Sequence, residues 1–325
     1  MNRIVLAGNS SPIIKLLDRL DGILDIDIPV LFTEQPVGLE LTDRSERFEL
    51  ELRDIRELGA TAGAKILSAY EPDWLFNVNS TQIFPTAVLD VLSAGCLNMH
   101  PGQLPEYAGL HTHQWAIRNG EESFGATLHW MVPEVDAGPI AYQQKFPVSS
   151  TETGLSLFIK CVNAGVELAV AAVREIAAGG TPPRIAQDLS RRRVYLHHEA
   201  LDGRIDWSMS ARQIRDFVRA ADYRPFQSPT YAPEASVNGQ SFVVREVKEE
   251  LLPRSSGPPG TLLALDDDGV LLAAGGMTGL RLTEVELRSD PNASKPRRYR
   301  GGQIGEALNV SVGDVARSSG ITRGF

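Results

Sequence analysis

RIVLAGNSSPIIKLLDRLDGILDIDIPVLF, Arg3 to Phe32, begins and ends in apolar runs with a helical pattern between them. RIVLAG (Arg3 to Gly8) reads as a buried strand, SPIIKLLDRL (Ser11 to Leu20) as an amphipathic helix and DIPVLF (Asp27 to Phe32) as a second strand. A strand, a helix and another strand in that order make the βαβ unit of a parallel sheet. The alternation continues. IRELGATAGAKILSAY (Ile55 to Tyr70) predicts a helix, DWLFNV (Asp73 to Val78) a strand, PTAVLDVLSA (Pro85 to Ala94) a helix with Pro85 in its first turn, and CLNMH (Cys96 to His100) a further strand. GATLHWM (Gly125 to Met131) and AYQQKFPV (Ala141 to Val148) read as partner strands. Leu155, Phe158, Ile159, Val162, Val166, Ala169, Val170 and Val173 then form one apolar helical stripe.

Beyond AAGGTPPR (Ala177 to Arg184) the texture changes. Gly-Gly and Pro-Pro pairs end the helix, and QDLSRRRVYLHHEALDG (Gln187 to Gly203) reads as a polar linker. A short helix, SARQIRDFVRAA (Ser210 to Ala221), precedes strands punctuated by VNGQ, DDDG and MTG turns, the pattern of a small barrel-like β domain. The expected organisation is a catalytic α/β domain over 1–180, a linker over 181–205 and a C-terminal β domain, OB-like in character, over 206–325.

Composition narrows the function. The 325 residues carry a net charge of −9, with 42% hydrophobic and 22% charged residues, as expected of a globular protein of two domains. No apolar run approaches the roughly 18 residues of a membrane span, and MNRIVLAGNS leads straight into a strand; a cytosolic protein is expected. Cys96 and Cys161 are too few for a disulfide framework and lack metal-ligand spacing. From Ile205 to Phe325 acidic and basic residues balance at fifteen each, so residues 1–204 hold the whole negative excess. A chain that grips nucleic acid normally presents a basic face. The nearest basic cluster here, KPRRYR (Lys295 to Arg300), is short and reads as a solvated turn.

NMHPGQLPEYAG, Asn98 to Gly109, places a carboxamide and an imidazole at the carboxyl end of a strand, where open α/β sheets bind ligands. Of the six histidines, His129 reads as a strand residue and His197 and His198 as linker residues, leaving His100, His111 and His113 as candidates. Zinc would need a ligand set that the spacing does not supply, and no G-x-S-x-G announces a serine nucleophile. Asp136, in the EVDAG turn after GATLHWM, is brought by chain order near the end of the strand that bears His100. An amide N–H can hold an oxyanion, an imidazole can move a proton near neutral pH, and a carboxylate can orient that imidazole. Asn98, His100 and Asp136 therefore fit acyl transfer without a covalent enzyme intermediate, against the alternative of a packed histidine bonded to its neighbours.

Asn-x-His-Pro at Asn98, Leu-Pro-x-Tyr-x-Gly at Leu104 and Asp-x-Gly at Asp136, in that order, resemble the N10-formyltetrahydrofolate-dependent formyltransferases, the family of methionyl-tRNA formyltransferase and the sugar N-formyltransferases. The likeness extends from the AGNSSP turn (Ala7 to Pro12) through IFP (Ile83 to Pro85) to GRIDWS (Gly203 to Ser208). It implies a Rossmann-like formyl-transfer domain, mostly parallel in its sheet, followed by the barrel-like domain. In that scheme the acceptor amine attacks the formyl carbon of N10-formyltetrahydrofolate, His100 shuttles the proton, Asn98 holds the oxyanion, and Asp136 orients His100. The folate would lie near Thr81, Gln82, Ile83, Phe84 and Val135. The acceptor would meet Gly8, Asn9, Ser10, Tyr107, Gly109, His111, His113 and Trp115. No metal is required.

Departures lie in the acceptor loop. Gly102-Gln103 replace the usual serine-leucine, Ala108 replaces a common arginine, and LHTHQW (Leu110 to Trp115) replaces small residues and a proline. A tRNA-modifying relative would be expected to carry a basic loop after its second strand. Here Thr33 to Arg53 holds six acidic residues (Glu34, Glu40, Asp43, Glu46, Glu49 and Glu51) against Arg44, Arg47 and Arg53. Phosphate repulsion favours a small-molecule amine, such as an amino sugar or a siderophore or natural-product precursor. Methionyl-tRNA formylation, concentrated on Arg191 to Arg193 and KPRRYR, and formyl-folate hydrolysis or folate binding are the alternatives. The C-terminal β domain offers a surface for a homodimer.

Overall fold

The computed structural model describes residues 1–23, 25–196, 203–237, 240–252, 257–287 and 297–310. Its compact units are Met1–His113 with Ser123–Pro147 and Phe158–Tyr195, and Gln114–Glu122 with Val148–Leu157 and Leu196–Phe325. His197 and His198 lie outside the described residues.

The first unit opens with β1 (Asn2–Gly8), α1 (Ser10–Leu20), β2 (Ile26–Asp27) and β3 (Val30–Thr33), the βαβ unit read from Arg3 to Phe32. It continues with α2 (Leu39–Arg47), β4 (Glu51–Asp54), α3 (Arg56–Gly59), α4 (Gly63–Ser68), β5 (Trp74–Val78), α5 (Thr86–Leu89) and β6 (Gly95–His100). Then come β7 (Ala108–Gly109), α6 (Thr112–Arg118), β8 (Ser123–Trp130), β9 (Ile140–Pro147), α7 (Gly154–Ala177) and β10 (Val194–Tyr195). The main sheet runs β4-β3-β1-β5-β6-β8-β9, with β2 beside β1. It is parallel from β4 to β6, and β8 and β9 are antiparallel. A strand covered on both faces reads as a near-continuous apolar run. Accordingly β5 is buried throughout: Trp74, Phe76 and Val78 join the core beneath α1 and α7, while Leu75 joins the opposite core with Val5, Phe32, Leu58 and Leu67.

Several local expectations change. Ile55 to Tyr70 forms two short helices because Ala60 takes an extended conformation; the Gly59 Cα also lies so close to the Gln82 side chain that a Cβ would sit 2.1 Å from its Nε2. Pro85 caps α5 from outside, and the helix stops at Leu89. On α7 the stripe turns Ile159 outward, 44% exposed, and buries Leu157 and Cys161 instead. Helix α7 is long and apolar enough to cross a membrane by length and composition, yet more than half of its apolar stretch is buried, and Val162, Val166, Val170 and Val173 pack in the sheet core.

The second unit carries α8 (Ala211–Ala220) and an antiparallel sheet of β11 (Glu234–Val237), β12 (Gln240–Leu251), β13 (Leu262–Asp266), β14 (Gly269–Ala274), β15 (Thr278–Leu287) and β16 (Arg297–Arg300). The order is β11-β12-β15-β14-β13, with β16 also on β15. Among the described residues, β11 and β13 do not pair to close it. DDDG forms the β13–β14 hairpin and MTG the end of the β14–β15 hairpin, where Met277 has φ 59°. The centre of VNGQ, residues 238–239, lies outside the described residues, between the paired Val237 and Gln240. The expected KPRRYR turn is from Arg297 a strand paired antiparallel with β15, and Arg298 and Arg300 meet the buried carboxylates of Glu286 and Glu284.

Candidate active site

Strand β6 carries Asn98 and His100 on one face, since alternate strand residues point the same way. Its two neighbours complete the row. Asn77 of β5 is the register partner of Asn98 on one side, and His129 of β8 is its partner on the other. Asn77 Nδ2 donates to Asn98 Oδ1 at 2.9 Å. Asn98 Nδ2 lies 2.9 Å from His129 Nε2, while His129 Nδ1 lies 2.9 Å from the Trp130 carbonyl. A carbonyl only accepts, so Nδ1 carries a proton toward Trp130 O, and Nε2 lies against the Asn98 amide. The result orients the Asn98 amide.

Asp136 reaches this row from the turn between β8 and β9, where its φ of 53° is left-handed. Its Oδ2 accepts from Gly109 N–H at 2.8 Å and faces His100 Nδ1 at 3.6 Å. Its Oδ1 lies 3.3 Å from His129 Nε2 and 3.5 Å from Asn98 Nδ2. Burial disfavours the charge, yet the positive character of His100, the bond and charge of His129 and the Gly109 N–H outweigh it, holding the Asp136 carboxyl well below its usual range. The other ring nitrogen of His100, Nε2, donates to Tyr107 O at 2.7 Å.

The loop after β6 is held from below. Thr127 Oγ1 donates to Gly102 O at 2.7 Å and accepts from Leu104 N–H at 3.2 Å, and Gln143 Nε2 donates to Leu104 O at 2.8 Å. Gly102 permits this closeness: a Cβ there would lie 2.4 Å from His100 Nε2 and 2.7 Å from Thr112 Oγ1.

The structure thus brings together Asn98, His100, Asp136, Tyr107 and Gly109, and adds His129 and Asn77, which the sequence reading passed over. His129 looked like a strand residue beside a tryptophan; its signal was the parity of β8, readable only once the β6–β8 register is known. The remaining candidates are spread out. Gly8 ends β1 against Val78 O, and Asn9 N–H donates to the same carbonyl at 3.2 Å before Ser10 starts α1. Thr81, Gln82 and Ile83 follow β5, with Ile83 exposed, while Phe84 is buried in the core with Val5 and Leu75. Val135 is half-exposed beside Asp136. His111 has φ 54°. His113 packs on Phe158, and burial, followed by repulsion from His111 and His100, pushes its pKa down to about 3, so its ring is neutral at physiological pH. Trp115 belongs to the second unit, where the Arg118 guanidinium stacks 4.1 Å from its ring centre. Cys96 and Cys161 are buried, and burial pushes the Cys96 thiol up. Among the described residues, no group of three His, Cys, Asp or Glu side chains is arranged to hold a metal.

A cluster of amide, imidazole and carboxylate on adjoining strands can stabilise a developing oxyanion and relay a proton without a protein nucleophile. The profile described as Formyl transferase matches residues 32–173, and that described as Formyl transferase, C-terminal domain, matches residues 199–296. Methionyl-tRNA formyltransferase of Bacillus thuringiensis subsp. konkukian is 30% identical over 312 residues, covering 93% of this chain and 96% of its own. That of Methylacidiphilum infernorum is 27% identical, covering 97% and 98%. Among solved structures, an N-formyltransferase from Helicobacter canadensis, in complex with folinic acid and dTDP-3-aminofucose, superposes with a TM-score of 0.64 at 15% identity, covering 87% of this chain and 99% of that one. HypX from Aquifex aeolicus, in complex with tetrahydrofolic acid, gives 0.60 at 19% identity, covering 95% of this chain and 47% of its own. The last two likenesses concern the fold; with both profiles matched in order and a relative aligned over nearly its full length, the chain belongs to the formyltransferase family.

Proposed function

We propose that this formyltransferase moves the formyl group of N10-formyltetrahydrofolate to the amine or hydroxylamine of a small molecule, such as an amino sugar or a natural-product precursor. The observation that carries the reading is the convergence of Asn98 with the buried His100 and Asp136 in one cluster. In this scheme the acceptor nitrogen attacks the formyl carbon. Asn98 N–H supports the oxygen as it gains charge, and His100 takes the proton lost by nitrogen and delivers it to the departing N10. Asp136 keeps the imidazole oriented. The half-exposed Val135 and exposed Ile83 offer apolar contact to the folate ring.

The acceptor class rests on charge. All three arginines between Thr33 and Arg53 are already matched: Arg44 with Asp18, Arg47 with Asp21 and Arg53 with Glu57. The arginines of KPRRYR that face carboxylates do so within their own sheet. The Helicobacter canadensis enzyme, which holds an amino sugar nucleotide, supports a small acceptor by analogy of fold. Methionyl-tRNA is the second reading, favoured by the full-length relatives that bear that name.

The test incubates the protein and N10-formyltetrahydrofolate with a panel of amino sugars, hydroxylamines and initiator methionyl-tRNA, reading the mass gain of one formyl group. Transfer to a small amine is the expected result. Transfer confined to methionyl-tRNA would reverse the acceptor assignment, and formate release without any acceptor would make the protein a formyl-folate hydrolase.

A further inference from the structure

The segment from Pro183 to Tyr195, a polar linker by composition, is bonded step by step around the rim of the catalytic cluster. Pro183 O accepts from Trp130 Nε1 at 2.8 Å, and Ile185 exchanges both backbone hydrogen bonds with Ile140 at the start of β9. Gln187 comes next. Its Nε2 donates to Asp136 O at 2.9 Å and to Gly138 O at 2.6 Å, so both N–H groups of one amide span the Asp-Ala-Gly turn. The assignment of nitrogen is fixed by its partners, because an oxygen in that place would face two acceptors. Arg192 then holds the two preceding residues, donating to Val135 O at 2.6 Å and pairing with Glu134 at 2.9 Å. Finally β10 pairs with β7 in parallel, and Leu110 N–H donates to Tyr195 O at 2.8 Å.

This strap therefore grips both sides of one hydrogen bond. Gly109, whose N–H donates to the Asp136 carboxylate, is paired to β10; Asp136, which accepts, is held at its backbone by Gln187. Asp136 needs such support, since a left-handed conformation is unfavourable for a residue with a Cβ and persists where its surroundings impose it. Among the described residues, Gln187 is the side chain bonded to the main-chain carbonyl of Asp136.

We propose that Gln187 is a positioning residue for formyl transfer: its carboxamide staples the Asp136 turn, setting the carboxylate against His100, His129 and Gly109. The assignment rests on the reading of Asp136 as part of the catalytic cluster, and it adds a residue outside every motif that defines that cluster. Gln187 acts through Asp136 and touches no reacting atom.

The experiment compares wild type with Gln187→Met, similar in length without N–H donors, and Gln187→Glu, which sets an acceptor against two carbonyls. Hydrogen exchange of the Gly109 amide reports the turn directly, without any substrate. It should accelerate roughly tenfold in both variants while the amides of β5 and β6 keep their protection. Turnover of N10-formyltetrahydrofolate, with hydroxylamine as the amine probe, should fall about ten- to a hundredfold in kcat, with KM for the folate and the melting temperature little changed. Unchanged Gly109 exchange overturns the staple. Faster exchange with undiminished kcat, or a loss of kcat matched by general unfolding, overturns the positioning role. A wild-type protein that transfers no formyl group to any amine overturns the formyl-transfer reading itself and with it the catalytic meaning of the staple, a result separable from wild-type turnover that Gln187→Met retains.

Discussion

At Asp136, burial and charge pull in opposite directions, and charge prevails. Its carboxyl is held below the ordinary value, so the ionised form stabilises the fold above the unfolded carboxylate range near 4, and that contribution disappears as pH falls through the folded value. Asp136→Asn should therefore cost most stability at neutral pH and progressively less below about pH 4, measured by urea midpoints across that range; a gap that stays constant would mean that charge is not the source. At His129 the expectation is kinetic. His129→Leu removes the ring nitrogen that meets the Asn98 amide, and kcat should drop roughly tenfold, about 1.4 kcal/mol of barrier, with folate KM within twofold of wild type. Gly102→Ala would push a methyl group against His100 Nε2, and its kcat should suffer more than its melting temperature. Asn98, His100 and Asp136 were legible because their residue types, order and turn context form a local signature. His129, Asn77 and Gln187 carry no such signature. Their roles arise from strand register and from a fold-back of some fifty residues between Asp136 and Gln187, neither of which a linear pattern encodes.

At the scale of elements, the strands were easiest to read, because a two-sided sheet demands unbroken apolar runs such as IVLA in β1 and WLF in β5. Helices were read well where an amphipathic stripe coincided with a cap. Ser210 accepts from Gln213 N–H at 3.3 Å while Gln213 Oε1 accepts from Ser210 N–H at 3.0 Å, a reciprocal box that starts α8 where the pattern places it. Ser210→Ala should destabilise the second unit by about 1 kcal/mol in denaturant unfolding, and no loss would show that tertiary packing of Ile214, Phe217 and Val218 fixes the helix alone. The break between α3 and α4 was hidden, because Ala60 is an ordinary helix former that here takes an extended conformation. Polar composition concealed the strap. Gln187, Arg192 and their neighbours bond to main-chain carbonyls of another loop, an arrangement that looks like solvated linker until the loop is in place.

Across the whole molecule, the net charge of −9 gains meaning from the way the positive charges are used. Arg44 and Arg47 reach back to Asp18 and Asp21 of the α1 region, and Arg53 to Glu57. In the second unit Arg245 and Arg298 converge on Glu286, Arg300 meets Glu284, and Arg281 pairs with Glu250 and Asp266. A phosphate that approached any of these guanidinium groups would compete with a carboxylate already in place, and the surrounding field would repel it. Binding of nucleic acid through many phosphates has a distinct signature: each neutralised phosphate releases counterions, and six to ten contacts cost roughly a thousandfold or more in affinity between about 50 and 200 mM salt. For this protein, titration with methionyl-tRNA across that range should give weak binding that changes less than about tenfold. Formylation of a small amine should hold its rate over the same salt series, since its recognition needs no such contacts. A steep salt slope for tRNA would show that these ion pairs open to receive phosphate, and the acceptor of the formyl group would then be the tRNA.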